Sequence, residues 1–402
     1  MTSHILIAYP FCIMLITPEG KVLLLLCRLA VGLLSLVLVF ATAVPLLHSN
    51  VWWIRVFDFP RIQIAVLIGL ALTGYAALRL FGPLRAWEYV LAVVVGLGLI
   101  WQLYSIAPYT TLYPRQMAES RAEDDSNRIS LLIFNVLADN REVKALRNLI
   151  RDNDPDIILL SESTQWWLEQ LGGLEDDYPH TLFQPQENEY GMLLYSRLEL
   201  ENPEIRFLIE PEIPSIRTKV RLRSGTVVTL YGVHPRPPGL RPPDEEKDSG
   251  IKEVKGEEDE DGEREDSDMR DAELLSVAKE AKELGDVPII VAGDFNDVAW
   301  SRTTHLFQRI GGLLDPRVGR GLFNTFDTRS RLLRFPLDYV FASRHFLLVE
   351  LRRLPDIGSD HFPIFVVLDY DPGASVANEE PQPDAGDEQE ADEAIDKGKS
   401  NE

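Results

Sequence analysis

Three apolar stretches in the first 110 residues constrain this chain more than any other feature. Val22–Leu47, Ile62–Leu80 and Tyr89–Ile106 each come close to the roughly 20 residues that cross a bilayer core as a helix, and the first is interrupted by one charge, Arg28. A surface helix of a soluble domain would show a polar face once per turn. These runs have none. Trp52, Trp53, Phe57, Phe59, Trp87, Tyr89, Trp101, Tyr104 and Tyr109 gather at their edges, as interfacial aromatics do. The expected organisation is a membrane region over 1–110 and a linker over 111–126. A shorter run, Ile5–Ile16, contains Pro10 and reads as an interfacial segment. Flanking Lys and Arg residues divide equally between the two sides. Three spans with an inside N-terminus place the rest of the chain outside the cytoplasm.

The net charge of −23 is local rather than global. Between Asp244 and Glu273 there are 16 acidic and 5 basic residues, and from Asp371 to Glu402 there are 11 acidic and 2 basic. These two runs carry −20 of the total, so the remainder is close to neutral. Long like-charge blocks repel themselves and stay solvated. The expectation is therefore an acidic disordered insert over 241–270 and an acidic disordered tail over 371–402. No basic surplus exists of the kind that a sequence-independent nuclease uses to neutralise phosphates. The two cysteines, Cys12 and Cys27, lie in the apolar part. This excludes a thiolate metal site from the rest of the chain.

From 127 to 370 the pattern becomes short apolar runs separated by helical segments, a mixed α+β domain. Strands are expected at Ile129–Asn135, Ile157–Ser161, Met192–Tyr195, Thr218–Leu222, Val227–Val233, Val287–Ala292, Tyr339–Ala342 and Ile364–Leu368. Helices are expected at Glu142–Asn153, Asp271–Leu284 and Arg302–Ile310. Polar residues stand at the ends of these strands: Asn135, Glu162, His234, Asp294, Asn296, Asp338, Asp360 and His361. Singly, each reads as a turn residue, a cap or a structural hydrogen-bonder. As a set they are hard oxygen donors and imidazoles at the mouths of at least six strands. Hard oxygens without thiols suit Mg²⁺ or Mn²⁺. Two histidines and paired carboxylates supply acid–base and oxyanion-stabilising groups.

These motifs resemble those of the endonuclease/exonuclease/phosphatase family, which also contains sphingomyelinases and inositol-phosphate phosphatases. The matching stretches are LLIFNVL around Asn135, DIILLSES around Glu162, GMLLYSR over Gly191–Arg197, YGVHPRPP around His234, AGDFND around Asp294, PLDYVF around Asp338 and GSDHFP around His361. The apolar prefix and the GSDHFPIF ending are similar to a bacterial membrane-bound subgroup. The resemblance implies a four-layer α/β/β/α sandwich behind about three transmembrane helices, in a bacterial plasma membrane. It implies a metal site of Glu162, Asn135 and Asp360. His234, Asp294, Asn296, Asp338 and His361 would be catalytic. Asp294 would orient or deprotonate water, with Asn296 steadying it. His361, its tautomer held by Asp338, would donate to a phosphoryl oxygen, and His234 would contact a non-bridging oxygen. The converse assignment, with His361 as general base, uses the same residues.

Two positions depart from the family pattern. Ser161 stands where Gln usually precedes the metal-binding Glu, and Leu137 stands where the DNA-repair members carry an Asp. The expected activity is hydrolysis of phosphate esters, lipid-linked or small, at a membrane. A nuclease of the same family and a catalytically silent membrane scaffold are the competing readings. The expected partners are the lipid bilayer and the phosphate ester, and nothing in the sequence points to a protein partner.

Overall fold

The computed structural model describes residues 17–122, 124–238 and 266–400. The main elements, in chain order, are α1 (Pro18–Ala43), α2 (Arg61–Leu80), α3 (Ala86–Ile106), β1 (Arg128–Asn135), α4 (Val143–Asn153), β2 (Ile157–Ser161), α5 (Gln165–Gln170), β3 (His180–Gln184), β4 (Met192–Ser196), β5 (Glu199–Arg206), β6 (Ser215–Arg221), β7 (Val227–Val233), α6 (Asp268–Glu283), β8 (Ile289–Asp294), α7 (Arg302–Gly311), β9 (Asp338–Ala342), β10 (Phe346–Arg353), β11 (Ile364–Tyr370) and α8 (Asp387–Ser400). The chain forms two units, one of α1–α3 and one of the remaining elements.

In the first unit the usual distribution of residues is inverted. Leu33, Leu36, Leu70, Val93 and Ile100 face outward. Polar contacts lie between the helices: Arg28 pairs with Glu88 at 2.5 Å, Tyr75 donates to Ser35 Oγ at 3.0 Å, and Gln102 donates to Thr42 Oγ1 at 3.2 Å. Ile64, Ile68, Ala71 and Val95 fill the rest. Water would not tolerate the outer surface, whereas lipid would. All three helices are long and apolar enough to cross a membrane.

In the second unit, strand alternation dictates the layers. Ile129, Leu131 and Ile133 of β1, with Ile157 and Leu159 of β2, point into a core shared with Val228 and Leu230 of β7, Ile290 and Ala292 of β8, and Val340 of β9. The intervening residues Leu132, Phe134, Ile158 and Leu160 point the other way, onto Leu146 and Ile150 of α4 and Trp167 of α5. On the far side, Phe295, just after β8, meets Tyr339 and Phe341 of β9 and Phe307 of α7, and Phe307 meets Phe341, at ring separations of 4.7–5.3 Å. The result is a four-layer α/β/β/α sandwich. One sheet runs β10-β11-β1-β2-β4-β3 and the other β5-β6-β7-β8-β9. Each contains one parallel pair, β1/β2 and β7/β8, and antiparallel neighbours otherwise.

All eight expected strands and all three expected helices of this domain exist, with small shifts at their ends. Three strands escape the sequence pattern: β3, β5 and β10. Each is at an edge of its sheet. An edge strand is half in water and carries no strong apolar alternation.

Two expectations need correction. The presumed linker over 111–126 is partly structural. Met117 is buried in the inter-sheet core, and Ala118 and Ser120 hydrogen-bond Leu348 along β10 at 2.8 and 2.9 Å. The acidic tail is not a solvated coil. It forms α8, which packs on α6 with Ala391 and Ile395 buried. The physical reason is charge compensation. Glu388 and Asp392 meet Lys279 and Lys282, Asp387 meets Arg309 at 2.6 Å, and Glu390 meets Arg302 at 2.6 Å. The acidic insert lies outside the described residues over 241–265, as does Ile5–Ile16, and its last residues, from Asp268, open α6.

Removal of residues 384–402 uncovers the α6 face and lowers Tm by about 3 °C or more. A solvated tail would leave Tm unchanged in a thermal melt.

Candidate active site

The two parallel pairs decide where polar side chains collect. In register, Asn135 faces Ser161 at the carboxyl ends of β1 and β2, and Val233 faces Gly293 at those of β7 and β8. Asp294 pairs in turn with Asp338 at the start of β9. The carboxyl ends of parallel strands are where open sheets present ligand-binding groups. Here both sheets contribute to one mouth.

Asn135 joins the two sheets. Its Nδ2 donates to Glu162 Oε1 at 2.7 Å and to Asp294 Oδ2 at 3.1 Å. Asp294 Oδ1 accepts from the Asn296 N–H at 2.9 Å. His361 Nε2 is 3.5 Å from Asp294 Oδ2, and its Nδ1 is 2.7 Å from Asp338 Oδ2. His234 Nε2 lies 3.9 Å from Asp294 Oδ2. Asp294, Asp338 and His361 present ligand atoms within 4.8 Å of one another. Asp360 sits at the rim, 3.4 Å from Arg329. Asn296 turns its amide onto the Pro235 carbonyl at 3.0 Å.

The backbone is strained around these groups. Leu137, Glu162 and Asn296 adopt φ of 62°, 55° and 50°, left-handed values that L side chains avoid and that cluster at functional sites. Gly293 has φ of 141°, and a Cβ there would lie 2.0 Å from the Val233 carbonyl oxygen. The glycine of GDFN is required by the close approach of β7 to β8.

Burial dominates the electrostatics. It pushes the Glu162 carboxyl up to about 8; the Asn135 hydrogen bond and His361 oppose this, while Asp360 and Asp294 add to it. Burial likewise raises Asp294, against the pull of His361 and His234. It lowers His234. His361 behaves oppositely: burial favours its neutral form, but Asp338 and Asp294 outweigh that and push it up to about 10.

A hard divalent cation fits this donor set. The cluster is made of oxygens and imidazoles, and Glu162 is a half-buried carboxyl whose proton a cation could replace. Asp338 Oδ1 is buried without a hydrogen-bond partner.

Every residue expected from the sequence lies at this mouth, with Asp360 the most peripheral. Four further residues support it. Ser359 donates to the Asn135 carbonyl at 2.7 Å and accepts from the His361 N–H at 3.0 Å. Thr325 Oγ1 accepts from the Leu337 and Asp338 N–H groups at 3.2 Å. Arg270 donates to the Asn296 carbonyl at 2.9 Å. Tyr190 places its ring 5.7 Å from that of His234. Ser359 was visible beside Asp360. The others had no sequence signal, because their partners are distant in the chain.

The model of the Endonuclease/Exonuclease/phosphatase family matches residues 132–361, more than half of the chain. The chain belongs to this family. Among solved structures it is similar to humanized D. rerio TDP2 carrying 14 mutations, at 16% identity over 61% of this chain and 100% of that one, with a TM-score of 0.44. The human Nocturnin catalytic domain with bound sulfate gives 17%, 64%, 97% and 0.45 in the same order. An endonuclease/exonuclease/phosphatase family protein from Bacteroides thetaiotaomicron gives 16%, 61%, 98% and 0.47. No protein of curated function matches the chain.

Gly293→Ala is expected to cost more than about 3 kcal/mol, because backbone rather than a movable side chain opposes the new methyl. Chemical denaturation measures it; an unchanged midpoint would show that β7 and β8 can separate freely.

Proposed function

We propose that the chain is a membrane-anchored, divalent-metal-dependent hydrolase of phosphate esters, acting on lipid-linked or small substrates. The observation that carries this reading is the junction at Asn135, where one amide holds Glu162 from one sheet and Asp294 from the other. Phosphoester hydrolysis needs positioning and charge neutralisation more than covalent chemistry, and this mouth provides both.

Glu162 would be the principal metal ligand, with Asp360 supporting it from the rim. Asn135 steadies Glu162 through Nδ2, while its Oδ1 already accepts from the Leu137 N–H at 3.1 Å. When bound, Mg²⁺ or Mn²⁺ supplies charge neutralisation at phosphoryl oxygens and lowers the pKa of water. Asp294 then takes the proton of the attacking water. Its carboxylate is buried and has His361 and His234 on either side. His361 is held as an imidazolium by Asp338 and donates to the phosphoryl oxygen on which charge develops. A group that holds its proton up to about pH 10 serves as donor rather than base at neutral pH, which favours Asp294 in the basic role. His234, kept neutral by burial, would contact a non-bridging oxygen.

Three apolar helices of spanning length favour a substrate at a bilayer. The near-neutral charge outside the two acidic runs argues against a polyanion.

The full chain in detergent with Mg²⁺ or Mn²⁺ is expected to hydrolyse bis(p-nitrophenyl) phosphate, and Glu162→Ala to lower kcat/KM by roughly 100-fold or more. Equal rates in the two proteins would leave a silent scaffold. At limiting metal the rate falls as pH drops below about 8, since a proton on Glu162 competes with the cation, and added metal moves this acid limb to lower pH. The alkaline limb reflects loss of the His361 proton near 10. Asp338→Asn removes a carboxylate that holds it, so that limb moves to lower pH in a kcat/KM profile. A limb that does not move would return the general-base role to His361.

A further inference from the structure

The loop between Phe326 and Phe335 is not used by the chemistry above, yet it is built against it. Thr328 N and Oγ1 donate to the Asp360 and Ser359 carbonyls at 2.9 and 2.6 Å. The Phe326 ring lies 5.1 Å from that of His361. The loop therefore stands at the rim of the mouth. Its tip is an ordered turn: Ser330 Oγ accepts from the Leu332 and Leu333 N–H groups at 3.2 and 2.9 Å. That turn projects two aliphatic side chains, Leu332 at 81% and Leu333 at 53% exposure. Adjacent exposed leucines on a folded domain are unfavourable in water and mark a contact surface.

Charge identifies the occupant. The segment 327–334 has three arginines and one acid in a chain of net charge −23; Asp327 pairs with Arg329 at 2.9 Å, which leaves Arg331 and Arg334 as its surplus cations. Arg331 is exposed at the tip. Arg334 donates to the Ser330 and Thr328 carbonyls at 2.5 and 3.2 Å, and Arg353 to the Asn324 carbonyl at 2.8 Å. Both guanidinium groups lie over the Phe362 ring, at 4.9 and 4.3 Å. Burial and the neighbouring charge of Arg334 pull Arg353 below the usual arginine value. Apolar side chains flanked by arginines match a bilayer interface, where the first enter the acyl boundary and the second meet phosphates. A single-stranded nucleic acid would instead favour aromatic stacking platforms, and residues 328–334 include no aromatic.

We propose that the 327–334 loop docks the catalytic mouth onto an anionic phospholipid surface, Leu332 and Leu333 entering the interface and Arg331, Arg334 and Arg353 meeting lipid phosphates. It rests on the phosphoesterase reading and narrows it: the substrate is a phosphate ester carried by a lipid of that surface.

The test uses the full chain in nanodiscs of phosphatidylcholine with or without phosphatidylglycerol. Leu332→Cys, in a Cys12→Ser/Cys27→Ser background, carries an environment-sensitive NBD label. A blue shift of emission that grows with phosphatidylglycerol supports docking. Fully aqueous emission in both bilayers overturns it, as does a shift produced by a single-stranded oligonucleotide alone. In parallel, hydrolysis of a diacylglycerol p-nitrophenyl phosphodiester in the bilayer is compared with that of bis(p-nitrophenyl) phosphate. Leu332→Asp/Leu333→Asp, and separately Arg331→Glu, should lower the ratio of the two rates at least about tenfold. An unchanged ratio overturns docking and leaves the hydrolase intact. A blue shift with neither ester cleaved supports docking and overturns the hydrolase reading instead.

Discussion

Four carboxylates stand at one end of two packed sheets: Asp294 and Asp338 buried, Glu162 half-buried beside them and Asp360 at the rim, so that little water reaches the inner ones to screen them. Their mutual repulsion and their desolvation are the forces that the surrounding structure must contain. Two devices do so. The Asn135 amide donates to Glu162 and Asp294 together. His361 is clamped between Asp338 and Asp294 and carries a positive charge. What they leave uncompensated appears as a proton retained on Glu162 up to about pH 8. A carboxylate that retains a proton there is one for which a hard divalent cation would compete.

The same opposition of charge and burial explains the features further out. Leu137, Glu162 and Asn296 are bent into left-handed backbone because the strands they follow are fixed by the core, while their side chains or amides must turn into the mouth. Arg270 braces this arrangement from α6, buried and paired with Asp271 and Asp297. The C-terminal helix works on the opposite sign. Its acids cover the lysines and arginines of α6 and α7, and its apolar stripe covers Ala272 and its neighbours. A run of acids that would repel itself in solution becomes helix when cations are arrayed across from it.

What could be read from the residue order alone was whatever depends on local pattern. Apolar runs of spanning length, strand alternation in the central strands and the polar residues at their ends all lie within a few positions of one another. The eight candidate site residues and the four-layer architecture follow from these and from the family resemblance of GDFN, LDY and SDH. Edge strands β3, β5 and β10 carry half a pattern and escaped notice for that reason. The tail failed differently: its composition said solvated, because composition does not include the partner surface.

Only the tertiary structure brings Glu162 and Asp294, 132 positions apart in the numbering, onto one amide, and only it shows that Thr325, Arg270 and Tyr190 stand behind them. The physical reason is that sheet packing, not chain proximity, sets those distances. A sequence records which side chains sit at strand ends; the register of two sheets decides which of those ends share a mouth.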